Sequence, residues 1–198
     1  MSSLSWLRAP LPERIATPRL VLRRWQLADA ERLKDAIDAS LPELQAWMAW
    51  ALDEPSPIDV LERRLQRFRD EFGAAGDWIY GIFDDAERRV IGGTGLHVRG
   101  GPDVLEIGYW IRTDATHEGY ATEAAGILTD VAFELTAVAR VEIRCDPNNR
   151  RSAAVPPRLG YRHTETRRGD ARTPAGAPRD TMVWTLSAAE HAALAARR

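Results

Sequence analysis

Three strand-like segments in succession, followed by one long helix with an apolar stripe, constrain the fold of this chain more than any other feature. The segments at 78–83, 90–98 and 104–112 are separated by two short polar or glycine-containing turns, which predicts an antiparallel meander. Residues 120–136 then place alanine, leucine and valine on one wide helical stripe. With a further strand expected at 138–145, the fold class is α+β, with a mixed, mostly antiparallel central sheet flanked by helices.

Shorter elements are expected around this core. A strand is predicted at 19–25, helices at 29–39, 41–50 and 58–72, a short helix at 149–159, and strands at 161–165 and 181–186. The prolines of residues 1–18 indicate an irregular lead-in, residues 169–179 a polar loop, and residues 187–198 an alanine-rich helical tail. The length suits one hydrophobic core, so we expect a single domain over residues 1–198.

Composition and charge disfavour several classes of function. Hydrophobic residues make up 44% and charged residues 28% of the chain, the balance of a globular protein with a packed core. A net charge of −2, with basic and acidic residues interspersed, provides no general attraction to nucleic acid. The apolar segments are too short to cross a bilayer and the N-terminus lacks a signal-peptide core, so no membrane partner is expected and the predicted location is the cytoplasm.

The single cysteine and the four histidines show no spacing typical of metal ligands, so no metal is expected. Cys145 shares the apolar side of its strand with neighbouring valine and isoleucine, which favours a structural role over a reactive thiol. His97 and His163 stand alone in strands and are interpreted as structural. The glycine-rich run at 92–95 is interpreted as a place of close backbone approach rather than a phosphate loop.

The connection between the strand at 104–112 and the long helix carries the first functional signal. Residues 116–122 form a turn that contains a glycine, Gly119, at the helix start. The first N–H groups of a helix have no partners within it, and the helix dipole favours negative charge at that end. The turn can therefore bind a pyrophosphate, although glycine also occurs at such turns for steric reasons alone.

A second signal follows at 146–161. Asn149 and Ser152 are three residues apart at a helix start, so both can face the same side. An asparagine in this place is also a common N-cap, which leaves a purely structural role for Asn149 open. Pro156 and Pro157 are expected to kink the short helix, because a proline beyond the first turn removes a hydrogen bond.

Together these segments resemble the GNAT N-acyltransferases, and within them the type that acetylates the N-termini of ribosomal proteins (the RimJ/RimL type). The resemblance extends from residue 17 to residue 184 and rests on Glu-Ile-Gly-Tyr-Trp at 106–110, Gly-Tyr-Ala-Thr-Glu-Ala at 119–124, Asn-x-x-Ser at 149–152 and Leu-Gly-Tyr at 159–161. It implies a central sheet splayed into a V, with coenzyme A in the gap between the fourth and fifth predicted strands. It also implies transfer of an acetyl or similar small acyl group from acyl-CoA to a primary amine.

The resemblance implies a coenzyme A site as well. The pyrophosphate would lie on the backbone N–H groups of Glu118, Gly119, Tyr120, Ala121 and Thr122, and the pantetheine would pair with the strand at Trp110, Ile111 and Arg112. Asn149 would bond the pantetheine arm, and Ser152 would point toward the sulfur. The turn departs from the family pattern at Thr116 and Glu118, where Gln or Arg and a basic residue are usual. A glutamate beside a pyrophosphate is unfavourable unless its side chain turns into solvent.

Residues for the acceptor and for proton transfer are implied in the same way. Trp47 and Trp50 are three residues apart and on one helix would share a face. They would form either a stripe of the core or, as in similar members of the family, a wall of the acceptor pocket. Glu106 is the expected general base, acting through a water, with pairing to a neighbouring arginine as the alternative. Ser152 is the expected general acid, with Tyr161 in reserve.

The chemistry of amines bears on the acceptor. An α-amino group with a pKa of roughly 7.7 to 8.0 is about a tenth neutral at pH 7, whereas a lysine amine near ~10.4 is almost wholly charged. This chemistry agrees with the acceptor that the resemblance implies, the α-amino group of a protein N-terminus or of an aminoacyl compound. The alternatives are a small-molecule or antibiotic amine as acceptor, or a non-catalytic acyl-CoA-binding domain. The oligomeric state is left open, a homodimer included.

Overall fold

An eight-stranded sheet forms the centre of the protein in a computed structural model that describes residues 6–74, 77–99, 101 and 103–197. In chain order the strands are β1 (Arg14–Ala16), β2 (Leu20–Arg24), β3 (Asp77–Asp84), β4 (Val90–Val98), β5 (Val104–Ile111), β6 (Arg140–Cys145), β7 (Arg162–Arg172) and β8 (Pro178–Ser187). Their order in the sheet is β1-β2-β3-β4-β5-β6-β8-β7, with β5 and β6 parallel and the other described pairs antiparallel. The predicted α+β class with a mixed, mostly antiparallel sheet is confirmed.

Helices cover both faces of the sheet. They are α1 (Ala30–Asp38), α2 (Leu41–Trp47), α3 (Ile58–Asp70), α4 (Tyr120–Leu135), α5 (Arg150–Ala153), α6 (Val155–Arg158) and α7 (Ala188–Ala195). On one face, α4 buries its alanine and leucine stripe in a core shared with Leu105 and Ile107 of β5. On the other face, α1 and α3 bury Leu33, Leu61 and Leu65 in a second core. The apolar stripe predicted for the long helix is thus the part of it that packs on the sheet.

The sheet splays between β5 and β6. The two strands pair from Val104 and Arg140 to Ile107 and Ile143, and beyond these residues their pairing ends. From there β5 continues beside β4 and β6 continues beside β8. A gap therefore opens between the two strands that the sequence predicts as fourth and fifth, as the resemblance implies.

Three predicted boundaries are wrong. The lead-in is not wholly irregular, because Arg14–Ala16 pairs with β2. The polar segment at 169–179 is mostly strand, since cross-strand bonds such as that from the Gly169 N–H to the Asp180 carboxylate (2.9 Å) extend the hairpin of β7 and β8. The helix predicted at 41–50 ends at Trp47, because Met48 is extended (φ −113°, ψ 111°) and a 3-10 turn at Ala49–Asp53 follows.

The end of the chain follows the prediction more closely. The helix predicted at 149–159 is two short helices, α5 and α6, which are separated at Ala154, just before the proline pair. The helix α7 lies in the predicted helical tail. Residues 1–5 of the lead-in, 100 and 102 of the predicted turn, and 198 of the tail lie outside the described residues. No described helix combines the length and the apolar character that a membrane span requires.

Candidate active site

The turn before α4 presents unpaired backbone N–H groups. His117 and Gly119 both adopt the left-handed conformation, with φ of 70° and 81°, and Gly119 is the N-cap of the helix. The Glu123 N–H donates to the Gly119 carbonyl at 3.0 Å, so the N–H groups of residues 120–122 precede the first intrahelical bond. The positive end of the helix dipole lies at the same place. The turn can therefore hold an anion such as a pyrophosphate.

Arg19, which lies just before β2, supplies the basic group that the turn's own sequence lacks. Its Nη1 donates to the Glu118 carbonyl oxygen at 2.9 Å, and its guanidinium lies 4.8 Å from the centroid of the Tyr120 ring. The Glu118 side chain itself is exposed to solvent. Water then screens its negative charge, so that a pyrophosphate can bind beside it. Arg19 is not predictable from the sequence, because it lies 99 residues from its partner in the turn and no local pattern links them.

Glu123 holds Arg19 in this position. Its carboxylate accepts from the Arg19 Nε at 2.7 Å and from the Thr17 hydroxyl at 2.6 Å. Burial opposes ionisation of this carboxyl group, but the hydrogen bonds from Thr17 and Arg19 outweigh it and lower the pKa of Glu123. The carboxylate therefore stays charged near neutral pH and keeps the guanidinium beside the turn.

A cavity of about 1150 Å³ extends from this turn to the gap between β5 and β6. Its size exceeds that of most drug-sized pockets, which suits a long cofactor. It is bordered by nearly all of the residues predicted to bind coenzyme A: Trp110, Ile111, Glu118, Gly119, Tyr120, Ala121, Thr122, Asn149 and Ser152. We refer to it as the cofactor cavity.

The predicted pairing of the pantetheine with Trp110, Ile111 and Arg112 needs correction. Arg112 is buried, and its backbone N–H donates to the Ile91 carbonyl at 2.9 Å, so the N–H and C=O groups of this residue face β4. The N–H and C=O groups of successive residues in a strand point to alternate sides, so those of Trp110 face β4 as well. This leaves the N–H and C=O groups of Tyr109 and Ile111 directed toward the gap.

Asn149 and Ser152 lie together at the start of α5, on the border of the cofactor cavity. The Asn149 Oδ1 accepts from the Ser152 N–H at 3.1 Å, so Asn149 is the N-cap, as the alternative reading of the sequence held. No described residue accepts a hydrogen bond from its Nδ2. The capping role thus uses the acceptor of the side chain and leaves its donor for a ligand.

Tyr161, the reserve acid, is misplaced for catalysis. Its ring is buried in the core and its hydroxyl contacts the Thr129 hydroxyl at 2.7 Å. Tyr109 lies at the cavity instead, where its hydroxyl donates to the Ser152 carbonyl oxygen at 3.1 Å and lies 3.3 Å from the Ser152 Oγ. Burial raises the pKa of Tyr109, so the phenol keeps its proton, as a proton donor must. The sequence analysis missed Tyr109, because the strand alternation placed it with Ile107 on the apolar side.

A second cavity, of about 640 Å³, opens on the side of the sheet that α1 and α3 cover. We refer to it as the acceptor cavity. Both cavities are bordered by Trp47, Met48, Tyr109, Trp110, Asn149 and Ser152. The two cavities therefore approach from opposite faces of the sheet and meet at these residues.

Glycines of β4 and β5 form the floor of the acceptor cavity. The cross-strand pairs on this face are Gly93 with Trp110, Gly95 with Gly108, and His97 with Glu106. A Cβ atom at Gly93 would come within 2.5 Å of the Trp110 Nε1, and one at Gly95 within 2.9 Å of the His97 Nε2. The glycines thus let both rings lie against the backbone, which is consistent with the close approach that the glycine run indicates.

Trp47 and Trp50 border the acceptor cavity, although they do not share a helical face, because α2 ends at Trp47. Trp50 is 36% exposed and its ring lies 6.0 Å from that of Trp110. Leu44, and neither tryptophan, belongs to the core on this side. The position of the two rings therefore differs from that of a core stripe.

Glu106 lies at the edge of the acceptor cavity and is paired with arginines. Its Oε2 is 3.2 Å from the Arg144 Nη1, and its Oε1 is 3.7 Å from the Arg99 Nη1. The arginine pairing that the sequence analysis left open is thus the observed geometry. The role of Glu106 as general base stays a prediction.

His97 faces Glu106 across the strand pair, and its Nδ1 lies 2.7 Å from the Asp77 Oδ1. Burial and the neighbouring Arg99 guanidinium lower the pKa of His97, against the opposing effects of Asp77 and Glu106. The ring is therefore mostly neutral at pH 7. The sequence favours a structural role for His97, because nothing in the local pattern links it to Asp77 on β3.

Cys145 is buried and also borders the acceptor cavity. Burial raises the pKa of its thiol, so the reactive thiolate is disfavoured, in agreement with a structural role. Within the described residues, no group of three or more histidine, cysteine, aspartate or glutamate side chains is arranged to hold a metal ion.

The whole of this arrangement falls within one recognisable family. Residues 19–162 match the family model described as an acetyltransferase (GNAT) domain. The chain belongs to the GNAT acetyltransferases. It is an acyl-CoA-dependent N-acetyltransferase with acetyl-CoA as cosubstrate, and the residues that border the cofactor cavity fit that cofactor, because unpaired N–H groups, Arg19 and the Asn149 amide offer donors to its phosphates and amides.

Relatives of this enzyme include proteins named for ribosomal substrates. The Bacillus subtilis (strain 168) protein YdaF, a candidate ribosomal N-acetyltransferase by its name, is 30% identical over 144 residues, which are 72% of this chain and 77% of YdaF. The structure of RimL, a ribosomal L7/L12 alpha-N-protein acetyltransferase in complex with coenzyme A, superposes with a TM-score of 0.77 at 16% identity, over 89% of this chain and 97% of RimL. The resemblance to the GNAT N-acyltransferases is confirmed, and YdaF is a relative whose name refers to ribosomal N-acetylation.

A third protein of similar fold is named for self-immunity to microcin C7. The microcin C7 self-immunity acetyltransferase MccE, solved with acetyl-CoA and AMP, superposes with a TM-score of 0.78 at 19% identity. The superposition covers 86% of this chain and 93% of MccE. At this identity the likeness to MccE, as that to RimL, concerns the fold.

Proposed function

We propose that this enzyme transfers an acetyl or similarly small acyl group from acyl-CoA to the α-amino group of a protein N-terminus or of an aminoacyl compound. The observation that carries the proposal is the meeting of two cavities, one from each face of the sheet, around Ser152 and Trp110. An arrangement of this kind lets both substrates bind at once. Direct attack in a ternary complex then needs no covalent enzyme intermediate, because bringing the reactants together removes much of the barrier.

The cofactor is proposed to lie along the cofactor cavity. Its pyrophosphate would accept hydrogen bonds from the N–H groups of residues 118–122, with Arg19 beside them. The pantetheine would pair with the backbone N–H and C=O groups of Ile111, which face the gap. It would also accept a hydrogen bond from the Asn149 Nδ2. This placement brings the sulfur to the junction of the two cavities, next to Ser152.

The proposed roles at the junction concern the leaving thiolate. As the amine nitrogen bonds to the carbonyl carbon, the carbon–sulfur bond breaks and the sulfur needs a proton. Ser152 can donate it, with the Tyr109 hydroxyl 3.3 Å away as the next donor. A thiol with a pKa near ~8.5 leaves readily even with partial assistance, so this donor contributes less than the group that removes the proton from the amine.

An α-amine as acceptor is supported by chemistry and by the relatives. A larger fraction of α-amino groups than of lysine side chains is neutral at pH 7, so an α-amine demands less of the base. YdaF and RimL carry names that refer to ribosomal proteins. The aromatic wall of Trp47 and Trp50 provides apolar surface for the first side chains of a peptide.

A thiol-release assay tests the proposal. The enzyme is mixed with acetyl-, propionyl- or succinyl-CoA and with peptides that carry a free N-terminus. Matched peptides with a blocked N-terminus and a free lysine are the control, and small amines complete the panel. We expect release of coenzyme A with the free N-termini and acetyl-CoA, and none with the blocked peptides. Turnover with small amines alone would contradict the proposed acceptor.

A further inference from the structure

We propose that His97, held by Asp77, is the general base that takes the proton from the acceptor amine. The inference rests on the acyl transfer proposed above and concerns the acceptor cavity. It assigns to His97 the role that the sequence analysis gave to Glu106.

The position of the imidazole is the first argument. His97 borders the acceptor cavity, and its Nε2 lies over the glycine floor, since a Cβ atom would come within 2.9 Å of it at Gly95 and within 3.7 Å at Gly108. The ring thus extends along the floor toward Trp110, which lies over Gly93 at the junction with the cofactor cavity. An amine on this floor lies between the imidazole and the junction.

The hydrogen bond to Asp77 is the second argument. Nδ1 has two neighbours: the Asp77 carboxylate at 2.7 Å, which can only accept, and the Arg99 Nη2 at 3.5 Å, which can only donate. The contact with Asp77 is much the shorter, so it assigns the proton of the neutral ring to Nδ1. Nε2 then carries the lone pair, and within the described residues it makes no hydrogen bond. A base of this kind needs both a fixed tautomer and an unused lone pair, and His97 has both.

The charges around His97 are the third argument. Asp77 on β3 and Glu106 on β5 lie on two sides of the ring, and each favours the imidazolium that forms when the proton arrives. Arg99, which follows β4, opposes it, and Arg144 on β6 pairs with Glu106. Both Glu106 oxygens already face guanidinium groups, whereas the His97 Nε2 lies beside Gly95 and Gly108 of the cavity floor.

The step balances without any further reactant. The amine lone pair forms the bond to the thioester carbon, and the nitrogen becomes acidic as that bond forms. Its proton passes to the His97 Nε2, and the carbon–sulfur bond breaks with its electrons on sulfur. The sulfur takes a proton from water, either directly or through the Ser152 hydroxyl, which regains its own proton from water in the same step. His97 returns its proton to solvent after the products leave.

Turnover against pH in four variants, together with imidazole rescue of a fifth, tests the inference. We expect His97→Gln to lower kcat on the order of 10²-fold, a usual size for loss of a general base, and to remove the fall in kcat on the acid side. Asp77→Asn and Glu106→Gln should each cost about tenfold or less, since they orient or stabilise the base. His163→Gln, with an exposed imidazole outside both cavities, should match the wild type. Imidazole in the buffer should partly restore His97→Ala.

Two results would overturn the assignment. One is a His97→Gln enzyme with the kcat and pH profile of the wild type while Glu106→Gln loses on the order of 10²-fold, which returns the base to Glu106. The other is a nitrogen NMR spectrum in which the neutral His97 ring carries its proton on Nε2. The spectrum needs no acceptor, so it decides the tautomer even if the wild type releases no coenzyme A, a failure that would count against the proposed function instead.

Discussion

The two cavities of this enzyme differ in the groups that line them: backbone groups in one and side chains in the other. The cofactor cavity relies on the backbone, through the N–H groups before α4, the peptide groups of β5 that face the gap, and two left-handed residues. The acceptor cavity relies on side chains, through aromatic rings and charged groups on a glycine floor. A binding site made of backbone groups keeps those groups when most side chains are substituted, whereas a site made of side chains loses or changes a binding group with each substitution. One scaffold can therefore keep its cofactor while its acceptor varies.

The sharpest test of the backbone site is a change at Gly119. Its φ of 81° is open to glycine and costly for a β-branched residue, by roughly 1–3 kcal/mol. We expect Gly119→Val to weaken acetyl-CoA binding by about 10- to 100-fold, measured by calorimetry. Glu118→Arg is the matched control, since its exposed side chain leaves the backbone alone and a new positive charge favours the pyrophosphate. An unchanged dissociation constant for Gly119→Val would remove the turn from the site.

The acceptor wall should respond to a side chain instead. We expect Trp50→Ala to raise the KM for the acceptor about tenfold and to leave that for acetyl-CoA nearly unchanged, because a large aromatic contact is lost on one side. Leu52→Ala, in the same 3-10 turn but outside the lining of the acceptor cavity, serves as control. A variant that unfolds, or an equal rise of both KM values, would show that Trp50 has a structural role instead.

At the junction of the two cavities the expected effects are small. Ser152→Ala and Tyr109→Phe should each lower kcat by only about fivefold, with little change in pH dependence, because the thiolate leaves readily by itself. The double variant shows whether the two hydroxyls act as one unit, in which case its loss equals the larger single loss. A single loss as large as that of the base would make protonation of the sulfur the main barrier.

The smallest effect is expected at His117, the second left-handed residue of the turn. Glycine relieves a cost of about 1–2 kcal/mol for the left-handed backbone and forfeits about 0.5–1 kcal/mol of chain entropy. We expect His117→Gly to gain roughly 0.5 kcal/mol in the free energy of unfolding, measured with urea. His117→Ala, which keeps the cost of the left-handed backbone, should leave the free energy of unfolding unchanged. A loss of stability in the glycine variant would mean that the imidazole contributes contacts of its own.

Much of the fold could be predicted from the sequence because its signals are local. The stripe of α4, the meander of β3 to β5 and the break in the helix before Pro156 follow from periodicity and from proline chemistry. The failures are also physical. The local composition at 169–179 predicts a loop. In the structure, the two strands of the hairpin pair with each other, and this pairing is not visible in the composition of either one.

The sequence by itself determined where the glycine-containing turn before α4, the Asn-x-x-Ser helix start and the apolar faces lie, because hydrogen-bond patterns near a helix start and burial periodicity are properties of a few adjacent residues. The tertiary structure alone decided that Arg19 reaches the turn, that Tyr109 rather than Tyr161 reaches Ser152, and that Asp77 holds His97. These contacts depend on strand register and on the splay of the sheet. Both are set by packing over the whole chain, so no local pattern records them.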